Sequence, residues 1–242
     1  LLKRNKKCLS FYNDFNEIRV IDKPKEFLRF MMGKKNYDIA IDFDQHRKTT
    51  SLISILSKAT SIGFKNNGKE RAYSFPIEYG ENRYEAKCFL DLLGPLGIKN
   101  KLNEKELILF KNKKLRGKNI AIYASAMKKS NRLNLKRWKK IIKSEGKNKK
   151  YLFIGSKEDI DRYDQLEKEL KGYNIKRFDG KLSLRESMEV ISQTDKMLSE
   201  DGGVYHMAVC SGIPTTSYWL HGKENMDKWG APFKKHKRVL IR

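Results

Sequence analysis

The chain is poor in cysteine, in histidine, in acidic side chains and in long apolar runs. Its three cysteines, Cys8, Cys88 and Cys210, are odd in number and far apart in 242 residues. They form no CxxC pair and exclude a disulfide framework, which points to a reducing, cytosolic setting. The four histidines, His46, His206, His221 and His236, include no HExxH pattern. His206 and Cys210 are four apart and can share a helix face, but two ligands do not make a zinc site, so no metal is expected. No run of about 18 apolar residues is present, so no membrane-spanning helix is expected. Leu1 to Asn5 lead into no apolar h-region, and no secretory signal is visible. There is no initiator Met, and the chain stops inside the apolar run Val239-Leu240-Ile241, so it reads as an interior piece of a longer protein.

The shortage of acidic residues is the largest imbalance. There are 29 Asp+Glu against 53 Lys+Arg, a formal net charge of +24. Residues 1–110 carry 21 basic and 14 acidic side chains, and residues 111–242 carry 32 and 15, so most of the excess lies in the second half. The densest stretch is 128–150, with eleven Lys/Arg opposed only by Glu145. Such a segment suits nucleic acid, anionic lipid or a phosphorylated substrate, or is simply a solvated helix of a Lys-rich chain. Lys outnumbers Arg, whereas bidentate phosphate readers tend to be Arg. No RRM, zinc-finger or KH signature accompanies the charge, so nucleic acid is not the expected partner. Eleven Tyr, twelve Phe and three Trp supply large side chains for a packed core and exclude wholesale disorder.

The second half alternates short apolar runs with helical patterns. Residues 119–124, 151–154, 174–178, 196–199 and 215–220 read as strands. Between them, Leu135, Trp138, Ile141 and Ile142 recur at helical spacing, as do Ile160, Tyr163, Leu166 and Leu170. Ser183 and Glu186 have capping-box spacing, and 203–211 reads as a short helix. Repeated βα units of this length imply a parallel, doubly wound sheet. The first half is similar but less regular. It has a strand at 37–43, a helix carrying Leu52, Ile53, Ile55 and Leu56, a short strand at 61–64, and a long helix from about Glu81 to Leu96. The expected organisation is a first α/β domain over 1–110, lacking its first βα unit, a linker at 111–118 and a second α/β domain over 119–242.

In doubly wound sheets ligands collect at the carboxyl ends of the strands. In the second domain those ends carry Ser125, Lys128, Lys129 and Arg132 after the first strand. Gly155, Ser156 and Glu158 follow the second, and Asp179-Gly180 the third. Glu200-Asp201-Gly202-Gly203, and then His206, follow the fourth, with His221-Gly222 after the fifth. Two glycines between strand and helix expose backbone N–H groups at a helix N-terminus, a ready anion site. Asp201 then either accepts hydrogen bonds from sugar hydroxyls or caps the helix, the glycines merely making the turn. Glu158 suits a ribose diol or a favourable helix start. Asp42, Arg47 and Lys48 bracket the corresponding strand end of the first domain. The pattern is neither GxGxxG nor a P-loop.

These residues carry a family resemblance. Asp201-Gly202-Gly203-Val204-Tyr205-His206-Met207-Ala208, followed by Gly212-Ile213-Pro214, resembles the D-[ST]-G-x-x-H-x-A…G-x-P signature of the heptosyltransferases, glycosyltransferase family nine. In the same order, Tyr37 to Phe43 with Arg47 is similar to the family's first-domain strand and acceptor-side loop, and Ser61-Ile62-Gly63-Phe64 to its R-x-G-[FY] element. Asn82 to Gly97 is similar to its long helix ending L-L-x-x-L-G. Leu182 to Glu186 and Trp229-Gly230-Ala231-Pro232 fit later segments.

The resemblance implies a GT-B fold, two Rossmann-like domains with a cleft between them. It also implies an inverting, metal-independent transfer of heptose or a related sugar from a nucleotide-diphosphate donor, ADP-heptose, to a lipopolysaccharide core acceptor. The expected donor-binding residues are Ser125, Lys129, Arg132, Glu158, Asp201, Gly202, Gly203 and His206, and the acceptor-binding residues Asp42, Arg47 and Lys48. No cofactor or metal beyond the donor is implied. The partners are then an anionic lipid-linked oligosaccharide and the membrane surface, placing the protein in the cytoplasm, peripheral on the inner face of the inner membrane. The family's catalytic base, an Asp in a G-x-x-G-D loop, has no match and is expected upstream of Leu1. Asn131 falls where a Lys is often found, and the G-x-P ending is stretched to Pro214…His221-Gly222. The competing readings are a basic nucleic-acid-binding α/β protein and a GT-B domain that binds nucleotide without turnover.

Overall fold

A computed structural model describes residues 15–241 apart from 22, 34–36, 67 and 100; Cys8 and the opening Leu1–Asn5 lie outside the described residues. The chain divides into two compact units, Leu1–Leu102 and Asn103–Arg242.

The first unit runs α1 (Pro24–Met32), β1 (Ile39–Asp42), α2 (Lys48–Leu56), β2 (Thr60–Phe64), β3 (Phe75–Ile77) and α3 (Glu85–Asp91). Among the described residues its strands are parallel and lie in the order β1-β2-β3. Ile62, Phe64, Cys88 and Leu92 form its core, covered by α3 and the turn after it. The helix expected over 81–96 is shorter. It begins only after the extended Tyr84, and Gly94-Pro95 breaks it into a separate 3-10 turn, Gly94–Leu96, because proline cannot continue the ladder. Helix α2 also departs from the apolar pattern. Ser51 and Ser54 are its buried residues, while Leu52, Ile55 and Leu56 are exposed. The serine hydroxyls return to the helix carbonyls of Lys48 and Thr50, so these small side chains enter the interior already paired. Neither the amphipathic α1, opened by Pro24 at its first position, nor the three-residue β3 is among the elements expected from the sequence.

The second unit contains β4 (Asn119–Tyr123), α4 (Leu135–Glu145), β5 (Lys150–Phe153), α5 (Ile160–Glu169), β6 (Asn174–Arg177) and α6 (Leu184–Ser192). These are followed by β7 (Lys196–Glu200), α7 (Gly203–Cys210), β8 (Thr215–Trp219), α8 (Gly222–Trp229) and β9 (His236–Leu240). All six strands are parallel, in the order β6-β5-β4-β7-β8-β9. Strand alternation sorts the core into two layers. Ile120 and Ile122 pack with Trp138 and Ile142 of α4 and Tyr163 and Leu166 of α5 on one face. Ala121 and Tyr123 face Ile191 of α6 and Ala208 of α7 on the other. Each face is apolar because each is covered, the doubly wound arrangement expected from the βα repeats.

The segment before β4 travels with this second unit. Leu109 N–H donates to the Cys210 carbonyl at 2.8 Å, Leu115 N–H to Gln193 at 2.9 Å, and the Asn112 amide to the Ser192 hydroxyl at 2.9 Å. Among the described residues no helix is long and apolar enough to cross a membrane.

Candidate functional site

The strand order of the second unit reverses direction between β4 and β7. Loops leaving the carboxyl ends of these neighbours run to opposite sides and leave a crevice, the usual ligand position of such sheets. Two structures are built there: a rigid loop after β4, and the Gly-Gly entry to α7 after β7.

The loop after β4 is held by a buried carboxylate. Glu200, the last residue of β7, is fully buried. Its Oε2 accepts from Ala126 N–H at 2.7 Å, and its Oε1 from Leu133 N–H at 2.8 Å and the Trp138 indole N–H at 2.7 Å, with Arg162 Nη2 at 3.4 Å. Burial raises the Glu200 carboxyl above its ordinary range, while these donors and the Arg162 charge pull the other way. Every partner is an N–H donor, so the site is built for the carboxylate. Arg162 completes the brace by donating to the Ala124 and Leu133 carbonyls.

A second buried carboxylate, Asp159, pins the same loop from β5. It accepts from Ser156 N–H at 2.7 Å, from the Ser156 hydroxyl at 2.8 Å, and from the Ser125 hydroxyl. Arg132 Nη2 lies 3.6 Å from Asp159, and Arg132 Nε donates to the Ala126 carbonyl at 2.6 Å. Ser125 and Arg132, two of the expected donor-binding residues, are thus engaged within the protein. Arg132 still has its side chain 21% exposed.

At the entry to α7, Asp201 does not cap the helix. The residue preceding α7 is Gly202, with φ 158° and ψ 178°, and no side chain caps the helix. Asp201 instead turns its Oδ2 to the amides of Asn131 and Asn225, each at 3.2 Å. The first N–H groups of α7 are therefore met by no side chain. A Cβ on Gly202 would come within 3.3 Å of the Tyr123 ring, whereas a Cβ on Gly203 would meet nothing within 4 Å. The space beside Gly203 is open.

Two clefts flank this entry and share Met127, which is 90% exposed. One, of about 540 Å³, is lined by Lys128, Asn131, Asp201, Gly202, Gly203, His221, Asn225 and Trp229 among others. The other, of about 490 Å³, is lined by Arg132, Glu158 and the apolar side chains of Leu182, Leu184, Val204 and Met207, with Ser125 and Asp159 at its base. Hydrogen bonding by the Ser156 hydroxyl holds the exposed Glu158 carboxyl below its ordinary range.

Two expected donor-binding residues lie off these clefts. Lys129 is exposed in the 3-10 turn Lys129–Asn131 and lines neither; its neighbour Lys128 does. His206 sits in the first turn of α7, its ring edge-on to Tyr205 at 5.0 Å and to Trp229 at 6.5 Å. Burial lowers its pKa, against the opposing charge of Asp201, so the ring is neutral near pH 7. It supports the Trp229 wall of the larger cleft and carries no positive charge to it.

In the first unit, Asp42 is buried and occupied. It accepts from the Tyr73 hydroxyl at 2.5 Å, the Thr50 hydroxyl at 2.7 Å and the buried Lys69 ammonium at 3.4 Å. The Tyr73 ring lies over β2 where only Gly63 leaves room, since a Cβ there would fall 2.3 Å from it. Burial and the Asp42 charge hold the Tyr73 hydroxyl protonated. Arg47 is exposed beside Asp44 at 3.7 Å, and Lys48 is exposed at the start of α2. Of the three residues expected on the acceptor side, Arg47 and Lys48 present charge to solvent and Asp42 does not.

The residues missed from the sequence are those that hold others. Glu200 stands there only as the end of a strand, Asp159 as a helix start, and Asn225 in a stretch with no clear pattern. One signal was available: a tryptophan within a basic helix buries an indole N–H that must find an acceptor.

Among curated proteins none matches the chain significantly. The structure is similar to E. coli heptosyltransferase WaaC with ADP, with TM-score 0.76 and 12% identity over 98% of this chain and 81% of that one. It is also similar to the glycosyl transferase family 9 protein from Veillonella parvula, with TM-score 0.74 and 15% identity over 97% and 74%. E. coli ADP-heptose lps heptosyltransferase II gives TM-score 0.73 and 12% identity over 98% and 79%. At these identities the likeness establishes the fold, parallel α/β units of the GT-B class. The sequence match is what establishes kinship: residues 28–242, nearly the whole described chain, fit glycosyltransferase family 9 (heptosyltransferase), so the chain belongs to that family of glycosyltransferases.

Proposed function

We propose that the second unit binds a nucleotide-diphosphate sugar across the entry to α7 and that the protein transfers the sugar, with inversion and without a metal, to a lipopolysaccharide core acceptor. The observation that carries the reading is the uncapped Gly202–Gly203 helix start lying between two clefts of different chemistry. The apolar cleft of Leu182, Val204 and Met207 suits a nucleoside base, and the Glu158 carboxylate at its rim suits a ribose diol. The diphosphate then rests on the free N–H groups of α7, where the open space beside Gly203 admits it and the exposed Lys128 adds positive charge. The sugar extends into the cleft of Asp201 and Trp229.

Such a site favours transfer because the fixed N–H dipoles meet the charge that develops on the departing diphosphate. Deprotonation of the acceptor hydroxyl falls to a general base, for which no described residue is assigned. ADP-heptose is the expected donor, as both E. coli proteins named above are heptosyltransferases and the structure of one is with ADP. Arg47 and Lys48 are assigned to the anionic acceptor. The basic exposed positions Lys136, Arg137, Lys140 and Lys143 of α4 suit a peripheral position on the anionic inner face of the inner membrane, where each charge is worth about 1 kcal/mol.

Thermal denaturation with and without ADP or ADP-heptose tests the reading. Either ligand should raise Tm in a concentration-dependent way; Gly203→Val should abolish the shift for both, and Asp201→Ala should reduce the ADP-heptose shift to that of ADP. Absence of a shift with any nucleotide diphosphate, together with salt-sensitive RNA binding, would point instead to the nucleic-acid reading.

A further inference from the structure

We infer that Asn225 and Asn131 are positioning residues for the sugar half of the donor: their amides hold one oxygen of Asp201 and leave the other to meet sugar hydroxyls. The inference rests on the donor-site reading above and assigns the part of the site that discriminates the sugar from the nucleotide.

Asn131 lies in the turn after β4, and Asn225 on α8, after the neighbouring β8. Both line the larger cleft, and both amide nitrogens reach the same atom, Asp201 Oδ2, at 3.2 Å. The orientation of the two amides is set by chemistry, since a carboxylate only accepts and only Nδ2 can donate to it. Asn131 is fixed from its other end by the Ser130 hydroxyl, 3.2 Å from its Oδ1. Asn225 is fixed through its helix, which Arg238 of β9 ties down by its 3.1 Å contact with Asp227. Among the described residues Asp201 Oδ1 accepts no hydrogen bond, and no cation lies within 4 Å of the carboxylate.

This arrangement differs in its consequence from a salt bridge. Two neutral donors orient the carboxylate while leaving its full negative charge and one complete oxygen available to a ligand. A sugar hydroxyl meeting Oδ1 gains a charge-assisted hydrogen bond in a geometry already set, so little ordering remains on binding. The nucleotide half, seated on the other cleft and the α7 N–H groups, makes no use of the clamp.

The test is calorimetric titration of ADP and of ADP-heptose into the whole chain, for the wild type and for Asn225→Ala, Asn225→Asp and Asn131→Ala, with Tm recorded for each. The inference expects ADP affinity within about twofold of wild type in all variants. It expects ADP-heptose affinity to fall by roughly tenfold in the alanine variants, the effect of losing one hydrogen bond to a charged group. Asn225→Asp, equal in shape but unable to donate and bearing a like charge, should lose more than Asn225→Ala, and the excess should shrink as salt is raised. Equal losses for ADP and ADP-heptose would overturn the inference by showing a merely structural role, as would unchanged ADP-heptose affinity. A wild type that binds neither ligand would overturn the donor-site reading and this inference with it, whereas wild-type binding with indifferent variants would overturn this inference alone.

Discussion

The indole N–H of Trp138 donates to Oε1 of Glu200 at 2.7 Å, joining the first turn of α4 to the last residue of β7 inside the core. Both partners are fully buried. One hydrogen bond thus ties a helix on one face of the sheet to the strand end from which Asp201 and the glycines depart.

Loss of this carboxylate should be felt as stability before it is felt as binding. In Glu200→Gln one oxygen becomes a donor facing other donors, and the Arg162 charge loses its partner, a change worth about 3 kcal/mol. Trp138→Phe removes one donor and leaves the carboxylate with the rest, so about 2 kcal/mol is expected, part of it from lost packing. Urea denaturation should rank Glu200→Gln below Trp138→Phe; the reverse order would mean that packing, and not the carboxylate, holds the loop.

The two glycines should separate by assay. At Gly202, φ 158° with ψ 178° is a conformation side chains rarely adopt, so Gly202→Ala should lose about 1–3 kcal/mol of stability. At Gly203 nothing lies within 4 Å of an added Cβ, and alanine is a better helix former, so Gly203→Ala should keep or raise Tm. The same methyl fills the space assigned to the diphosphate, and ADP affinity should fall. A Gly203→Ala variant that binds ADP like wild type would remove the diphosphate from that position.

Asp42 should behave as a structural residue. Asp42→Ala strands the buried Lys69 ammonium and the Tyr73 hydroxyl and should destabilise the protein by about 3–5 kcal/mol. Lys48→Ala at the exposed start of α2 should leave Tm within about a degree or two, as surface substitutions do. Equal Tm values for Asp42→Ala and wild type would contradict the buried network.

Acid should weaken the fold through two histidines. Burial lowers the pKa of His206 and, more strongly, of His236, whose ring lies 3.1 Å from Glu104. A histidine depressed in the folded state contributes stability that is fully present above its unfolded value near 6.5 and is lost as pH falls toward the folded value. Tm should therefore drop as pH falls from about 6.5 toward 4, the value to which burial lowers His236, and His236→Gln should flatten that drop. Because Glu104 attracts the protonated ring, Glu104→Gln should steepen it; no change in slope for either variant would exclude this histidine as the source.

Much of this protein is legible in its sequence. The period-two alternation of Ile120, Ala121, Ile122 and Tyr123 specifies a strand buried on both faces, and the βα spacing around it specifies a parallel sheet, because each link is local and each apolar pattern has one low-energy arrangement. The Asp201-Gly202-Gly203 element could be read for the same reason: a strand end, two glycines and a helix start are neighbours in sequence. Only the tertiary structure decided what the polar groups do. Whether Asp201 caps α7 or points away depended on Asn225, 24 positions later, and whether Ser125 and Arg132 were free depended on Asp159. Asp42 was occupied by Lys69 and Tyr73 from beyond the next strand. A buried carboxylate must find donors wherever the chain can bring them, and sequence spacing carries no record of which distant donors arrive.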